Sequence, residues 1–530
     1  MRRILAGLVA ILSLSLITAQ LSEAAVTPGT KCSKAGATST YNGKKYTCIK
    51  SGTKLLWDKG VPVAKPAPVA TPSASPTATP IPSPSPLPTI TPTPTVTPKF
   101  LFTDPCEFDP KTPAEWIAFD KWFRDSGNNC VGPFRVETTE LTSEKPISKI
   151  ELSAQTISAC KLPQNYAKGA TLGFPVTSDR LKPFLENRHP GPNTVYQIVP
   201  IYTNDAPDKG TNPQTDYKPY FDFLKEWTNN ASDNGSNVEF RVPEKYIEFP
   251  ENISGFNLMH DKKIEDADRF KVSLRKYVDS KINFSGANLV IILLPPGSKG
   301  GIIQQTGLNM FETDEGRFLA TTFPPLTITS FFPGGNFLHP MWWLHELQHI
   351  GNGFDDNNLI DENGLHQWGV ISRFAATDLI GWHKWLAGFW ADNQIICLNK
   401  EQTSTAWIIP SQVKNSERKL IVIPLDSKRA IVVESMRSVG LNFKMPLNSQ
   451  GALVYLIDTN LTSFHDGIRL ILPSNRKTSS ITPVSKATDV VIFKHIDAPL
   501  KLQDYVIFEG LKITVIESGD FGDVIKVEKA

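Results

Sequence analysis

The sequence has little of several things, and each scarcity excludes something. Charge of one sign is the first: 55 Lys and Arg stand against 53 Asp and Glu, a formal net charge of +2. That balance gives no case for nucleic acid or an acidic partner as the main ligand. Long apolar runs are also scarce beyond the N-terminus. The longest, at 288–294, is stopped by Pro295-Pro296, far short of the about 20 residues a membrane helix needs. No transmembrane helix is therefore expected in the mature chain, and the run suits a buried strand. Cysteine is sparse too, with six in 530 residues: Cys32, Cys48, Cys106, Cys130, Cys160 and Cys397.

Arg2 and Arg3 precede an apolar run from Ile4 to Leu21, and Ser22-Glu23-Ala24 offers small residues for cleavage. This is the layout of a secretory signal peptide, residues 1–24, and the expected location is secreted or at the cell surface. The alternative is a retained anchor, for which the run is barely long enough. An even cysteine count in an exported chain favours disulfides. Cys32 with Cys48 would close a small module, Cys106 with Cys130 a local loop, and Cys160 with Cys397 would tie the ends of the main domain. Connectivity does not follow from sequence, and the first two pairings are the more local.

Residues 26–60 read as a small basic Cys/Trp module, with an Asn42-Gly43 turn between strand-like runs and Trp57 near its end. It is similar to short modules at the front of some secreted bacterial proteins, either a folded spacer or a cell-wall attachment. Residues 61–98 contain thirteen Pro and one charged residue, Lys65. Such a tract packs no core and tends to polyproline II, so it is expected to be a linker reaching on the order of 100 Å.

A catalytic domain is expected over 100–398. Residues 113–127 carry Trp116, Phe119, Trp122 and Phe123 at helical spacing, which suits packing. Strands are expected at Lys149 to Leu152, Thr194 to Tyr202 and Asn288 to Leu294, with helices at Pro219 to Asn229 and Arg269 to Lys281. A sheet with a backing helix thus precedes the most informative stretch, Trp342 to Asp356, WWLHELQHIGNGFDD.

A helix starting after Pro340 and running through Met341 to Ile350, with Trp342 or Leu344 toward the core, puts His345 and His349 on one face. Two imidazoles so placed can hold one metal ion, and Glu346 between them can act on an attacking water. Gly351 and Gly353 mark the helix end. Beyond it, Asp355 stands ten residues after His345, the spacing of the third ligand in HExxHxxGxxH and HExxHxxGxxD peptidases. The expected ligands are His345, His349 and Asp355, with Asp356, Asp361, Glu362 and His366 also within reach of a looping chain. Two His and a carboxylate leave a position open for chemistry on zinc, and no Cys lies nearby to close a structural site. The Asp/Asn-rich run from Asp355 to Asn363 lacks EF-hand spacing, so a structural calcium ion there is the alternative to a solvated loop.

Farther on stands His366 to Trp390, HQWGVISRFAATDLIGWHKWLAGFW. The combination resembles the immune inhibitor A family of secreted zinc metallopeptidases, in which HExxH is followed by a Trp-x-x-Met turn and a helix with a Lys-x-x-Leu-Gly-Trp-like end. Trp368-Gly369-Val370-Ile371 occupies the turn, and Trp382, Lys384, Leu386, Gly388 and Phe389 resemble the helix. Lys271 to Gly297 resembles the family's helix and strand ahead of the site, and VVESMRSVGLNF and GALVYLID extend the likeness to near Asp458. The resemblance implies an α+β zincin-like metallopeptidase domain, a mixed sheet with an HExxH active-site helix, that binds Zn2+ and acts on protein or peptide substrates. Ile371 stands where the family has Met, and Asn352 stands where it has Gly. No Tyr occurs between Tyr277 and Tyr455, so His366 or Arg373 is the candidate to polarise an oxyanion.

After Cys397 come short alternating runs at 420–424, 430–434, 452–457, 468–472, 489–493, 505–508, 512–516 and 524–527. They lead to an all-β sandwich-like domain over 399–530. The leading expectation is a zinc metalloendopeptidase with Glu346 as general base. The alternatives are an inactive metallopeptidase-like adhesion or binding protein, in which Glu346 would have no task, and hydrolysis of a non-peptide substrate.

Overall fold

The computed structural model describes residues 30, 38–41, 44–51, 54–59, 61–62, 99–100, 137–138, 140–165, 167, 172–175, 191–233, 235–258, 263–298, 303, 306–324, 340–356, 364–365, 368–371, 378–442, 445, 447–462, 465–479 and 495–530. The chain forms two compact units, Met1–Thr93 and Pro94–Ala530. The signal peptide, the tract from 63 to 98, the 113–127 helix, and Cys32, Cys106 and Cys130 lie outside the described residues. Among the described residues no helix is long and apolar enough to cross a membrane.

In the front unit Thr38–Tyr41 pairs antiparallel with Lys44–Ser51, and Tyr41 stands opposite Lys44. That register leaves two residues for the connection, Asn42-Gly43, the dipeptide a tight hairpin favours. Lys54–Trp57 and Val61–Pro62 complete a four-stranded sheet, so pairing reaches two residues into the stretch read as linker. Cys48 is buried and disulfide-bonded.

The second unit is mixed α and β, with several sheets and few helices. Its first sheet has Leu289–Leu293 at the centre, parallel to both Val195–Tyr202 and Gly316–Thr322, while Thr306–Thr313 runs antiparallel at one edge. The central strand is buried along its whole length, as a strand covered on both faces must be. Tyr196, Ile198, Leu289, Ile291 and Leu293 face helix α1, Lys218–Ala231, through Phe221, Leu224 and Trp227. Val199, Ile201, Val290 and Ile292 face the opposite way, onto helix α2, Ile264–Val278. α2 buries Ala267, Phe270, Leu274 and Val278, a helical stripe, with Glu265 and Asp266 in its first turn and Arg275 and Lys276 in its last. Helix α3, Pro340–Asn352, lies on the α1 side, its Trp343 stacked on Phe323 at 4.3 Å. Leu344, expected to face the core, is buried.

Lys149 to Leu152 is not a strand. Glu151 and Ala154 instead make isolated bridges to Thr405 and Leu398, a pairing with residues too distant in sequence for alternation to reveal. From residue 395 onward two sheets lie face to face. One joins Ile395–Cys397, Leu420–Pro424, Arg429–Met436, Gly451–Asp458 and Ile468–Leu470. The other joins Ser404–Ile408, Gly522–Lys529, Leu511–Gly519 and Tyr505–Phe508. Ile421, Ile423, Ile431, Val433, Val454 and Leu456 pack against Ile408, Ile513, Val515 and Ile525 between them. The expected run at 489–493 lies outside the described residues.

The five-stranded sheet is buried on its other face as well. Leu420, Val422, Val432 and Tyr455 join one apolar core with Leu293, Trp343, Leu344 and Trp382, so the packing is continuous across residues 398 and 399. Cys160–Cys397 is a disulfide with Cα atoms 5.8 Å apart, closing a separation of 237 residues across the same core. It is the least local of the three pairings considered from sequence.

Candidate metal centre

The site is built on α3 and the turn that ends it. The helix runs on through Gly351 to Asn352, and the break falls at Gly353 alone, whose φ of +66° is a left-handed conformation that glycine adopts without steric cost. Gly353 N–H donates to the His349 carbonyl at 3.0 Å, and the chain reverses. That reversal brings the Phe354 carbonyl to His349 Nδ1 at 2.6 Å. His345 Nδ1 meets the Val370 carbonyl at 2.7 Å.

A carbonyl oxygen only accepts, so both Nδ1 atoms carry hydrogen, and in the neutral rings both Nε2 atoms present lone pairs. Those two Nε2 atoms lie 2.8 Å apart. Asp356 Oδ1 lies 3.3 Å from the Nε2 of His345 and 3.4 Å from that of His349. Three electron-pair donors thus converge on one point, an arrangement that needs a cation or a proton between them. Among the described residues this is the group of His, Cys, Asp and Glu side chains that can hold a metal ion. Two of its edges match the about 3.3 Å edge of a tetrahedron with the usual zinc–nitrogen distance.

The carboxylate that reaches both imidazoles is therefore Asp356, eleven residues after His345. The expectation placed Asp355 there, and Asp355 is not in the group. The helix persisting to Asn352, with a single glycine reversal at 353, shifts the loop by one residue relative to the ten-residue spacing. Nothing in the sequence distinguished two adjacent aspartates.

The electrostatics follow the geometry. Burial works against a charge on His349, but Asp356, Glu346 and the Phe354 carbonyl outweigh it and raise its pKa to about 9. Burial likewise opposes the Asp356 carboxylate, while the two imidazoles hold it well below the usual carboxylate range. Glu346 is half-buried, close enough to His349 for its charge to be felt there.

The turn Trp368 to Ile371 lies beside the pair, with the Val370 carbonyl on His345 and Ile371 fully buried. His366, Arg373, Asp361 and Glu362 lie outside the described residues, as does most of the Asp/Asn-rich run read as the calcium alternative. Sequence reasoning also missed His383. Its ring stacks on Phe354 with centroids 4.3 Å apart and planes at 19°. Burial first, then the nearby His349, push its pKa down to about 3, so it is neutral. The WHKWLAGF likeness rests on Trp382, Lys384, Leu386, Gly388 and Phe389, and passes over the histidine between the first two.

No protein-family model matches this chain, and no curated protein matches it.

Proposed function

We propose that the chain is a secreted zinc-dependent metalloendopeptidase with an α+β zincin-like catalytic unit, related to the immune inhibitor A family that its HELQH and WHKWLAGF stretches resemble. The observation that carries this reading is the convergence of His345 Nε2, His349 Nε2 and the Asp356 carboxylate on one point, with both Nδ1 atoms committed to carbonyls. A donor set of two imidazoles and one carboxylate suits zinc and leaves room for a reacting group. In this reading Asp356 replaces Asp355 as the third ligand.

Bound zinc would supply Lewis acidity, polarising a water molecule and the scissile carbonyl. The residues of the chain do the rest. The Val370 and Phe354 carbonyls fix the tautomer and ring orientation of His345 and His349, keeping both Nε2 atoms aimed at the metal. Glu346, one residue along the helix from His345, accepts the proton of the attacking water as the new carbon–oxygen bond forms. It then returns that proton to the departing amine nitrogen as the carbon–nitrogen bond breaks. A binding protein would need the metal at most and would have no use for that carboxylate.

The test is turnover of a peptide library by the purified mature chain, before and after chelation, beside Glu346→Gln. The reading requires zinc at one per chain, activity lost on chelation and restored by zinc, and loss of activity with retained zinc in the variant. Zinc without activity in either protein would identify the binding protein instead.

A further inference from the structure

The two carbonyls that orient the candidate ligands are themselves held, and both supports lead to the same short helix. Helix α4, Gly381–Leu386, carries His383 and Lys384 side by side, and both are buried. From Lys384, Nζ reaches Asp378 Oδ2 at 2.5 Å in a pair with almost no solvent exposure on either side. The Asp378 carbonyl accepts Val370 N–H at 2.7 Å, and the Val370 carbonyl accepts His345 Nδ1–H. From His383, the ring lies flat on Phe354, whose carbonyl accepts His349 Nδ1–H.

The helix is fixed to the five-stranded sheet at its start. Gly381 N–H points between the two carboxylate oxygens of buried Glu434, 3.1 Å from each, and Trp382 N–H donates to the Tyr455 hydroxyl at 3.2 Å. Glu434 accepts the Ser411 hydroxyl as well, at 2.9 Å. The approach leaves no room for a side chain: a Cβ on Gly381 would stand 2.6 Å from Leu420 Cδ1 and 2.8 Å from the Trp390 ring. Gly369 also needs its glycine, with φ of +92° and Ile380 Cγ2 3.1 Å from where a Cβ would be.

We infer that α4 is the positioning element of the candidate metal centre, Lys384 setting His345 through Asp378 and Val370, and His383 setting His349 through Phe354. The inference rests on the metal-centre reading above. It explains why a lysine and a histidine are buried there at the expense of desolvation, when apolar residues would pack a core more simply. Neither residue touches substrate or metal, and both act on the direction in which an imidazole lone pair points. The His383 contribution comes from the face of its ring, because its Nε2 has no hydrogen-bond partner among the described residues.

The experiment measures zinc dissociation constants by competition with a chromophoric chelator, on the full mature chain, for the unaltered protein, Lys384→Met and Lys501→Met. Lys501 is a partly buried lysine that donates to the Asn448 and Gln450 carbonyls, and among the described residues it has no hydrogen bond to either histidine. Groups hydrogen-bonded directly to metal ligands are worth about tenfold to a hundredfold in affinity, and Lys384 acts through two further links, so the lower end, about tenfold, applies to it. Lys384→Met is expected to weaken zinc by that factor while Lys501→Met binds as the unaltered chain does. Equal binding by Lys384→Met overturns the positioning role and leaves the metal centre standing, and so does an equal weakening in both variants. An unaltered chain that binds no zinc overturns the metal centre itself. Should Lys384→Met fail to fold, His383→Leu and His383→Phe decide the matter. Weakening in the first and recovery in the second support the role, and any other pattern overturns it.

Discussion

Replacing Asp356 with Ala, beside the matching change at Asp355, separates the geometry from the spacing rule. Asp356 Oδ1 is 3.3 Å and 3.4 Å from the two imidazole nitrogens, whereas Asp355 is outside the converging group. Four-ligand zinc sites in small peptides bind with about 10–16 kcal/mol, so one ligand of four is worth roughly 3 kcal/mol. That corresponds to about two orders of magnitude in Kd. Chelator competition on Asp356→Ala should therefore show zinc held at least about a hundredfold more weakly. Asp355→Ala should stay close to the unaltered chain. Thermal unfolding in excess zinc gives an independent reading, because a ligand that binds only the folded state raises Tm by an amount that grows with the logarithm of its affinity. Zinc lost from Asp355→Ala and kept by Asp356→Ala would refute the assignment and with it the one-residue shift attributed to Gly353.

Metal binding should also depend on pH. His349 has its pKa raised to about 9, so below that value a cation must displace its proton, and zinc affinity should climb about tenfold per pH unit from pH 7 to 8.5. A flat profile over that interval would contradict the hydrogen-bonding pattern assigned to the pair. With a chelator present the sign reverses. The charged His349 stabilises the fold fully below its ordinary value near 6.5, and this is lost as pH rises through about 9. Urea midpoints of the chelated chain should fall across that upper range, and an unchanged midpoint would count against it. Removing the Cys160–Cys397 bridge by a double Ala change frees a loop spanning 237 residues and should lower stability by up to about 5 kcal/mol in the loop-entropy treatment. An unaltered urea midpoint would show that the core holds those segments without help.

Much of this was legible in the sequence, for identifiable reasons. α2, the central strand and α3 carry periodicity or caps strong enough to read locally: the helix expected over Arg269 to Lys281 overlaps Ile264–Val278 but starts five residues late, the apolar run at 289–293 is unbroken, and a glycine at 353 ends α3. Ser404–Ile408 and Ile395–Cys397 are short and carry little pattern of their own, and long-range partners decide their pairing. His345 and His349 could be placed side by side from sequence because helical spacing puts residues four apart on one face, and the structure has their Nε2 atoms 2.8 Å apart. The carboxylate beside the two imidazoles is Asp356, one position from the expected Asp355, because loop geometry after a helix depends on a single backbone turn. His383 and Lys384 reach the site only through other residues, Phe354, Asp378 and Val370, and no spacing rule reports contacts of that order. The continuity of the core across residue 398 also escaped, since a sheet buried on both faces looks, strand by strand, like half of a separate sandwich.

The most direct measurement is hydrolysis of quenched fluorescent peptides by the mature, zinc-loaded chain beside Glu346→Gln. Loss of one general base is worth about a hundredfold to ten-thousandfold in rate, and the variant should show that loss while its zinc content stays at one per chain. Equal turnover in the two proteins would contradict the account, because the carboxylate between the two histidines would then have no part in the chemistry.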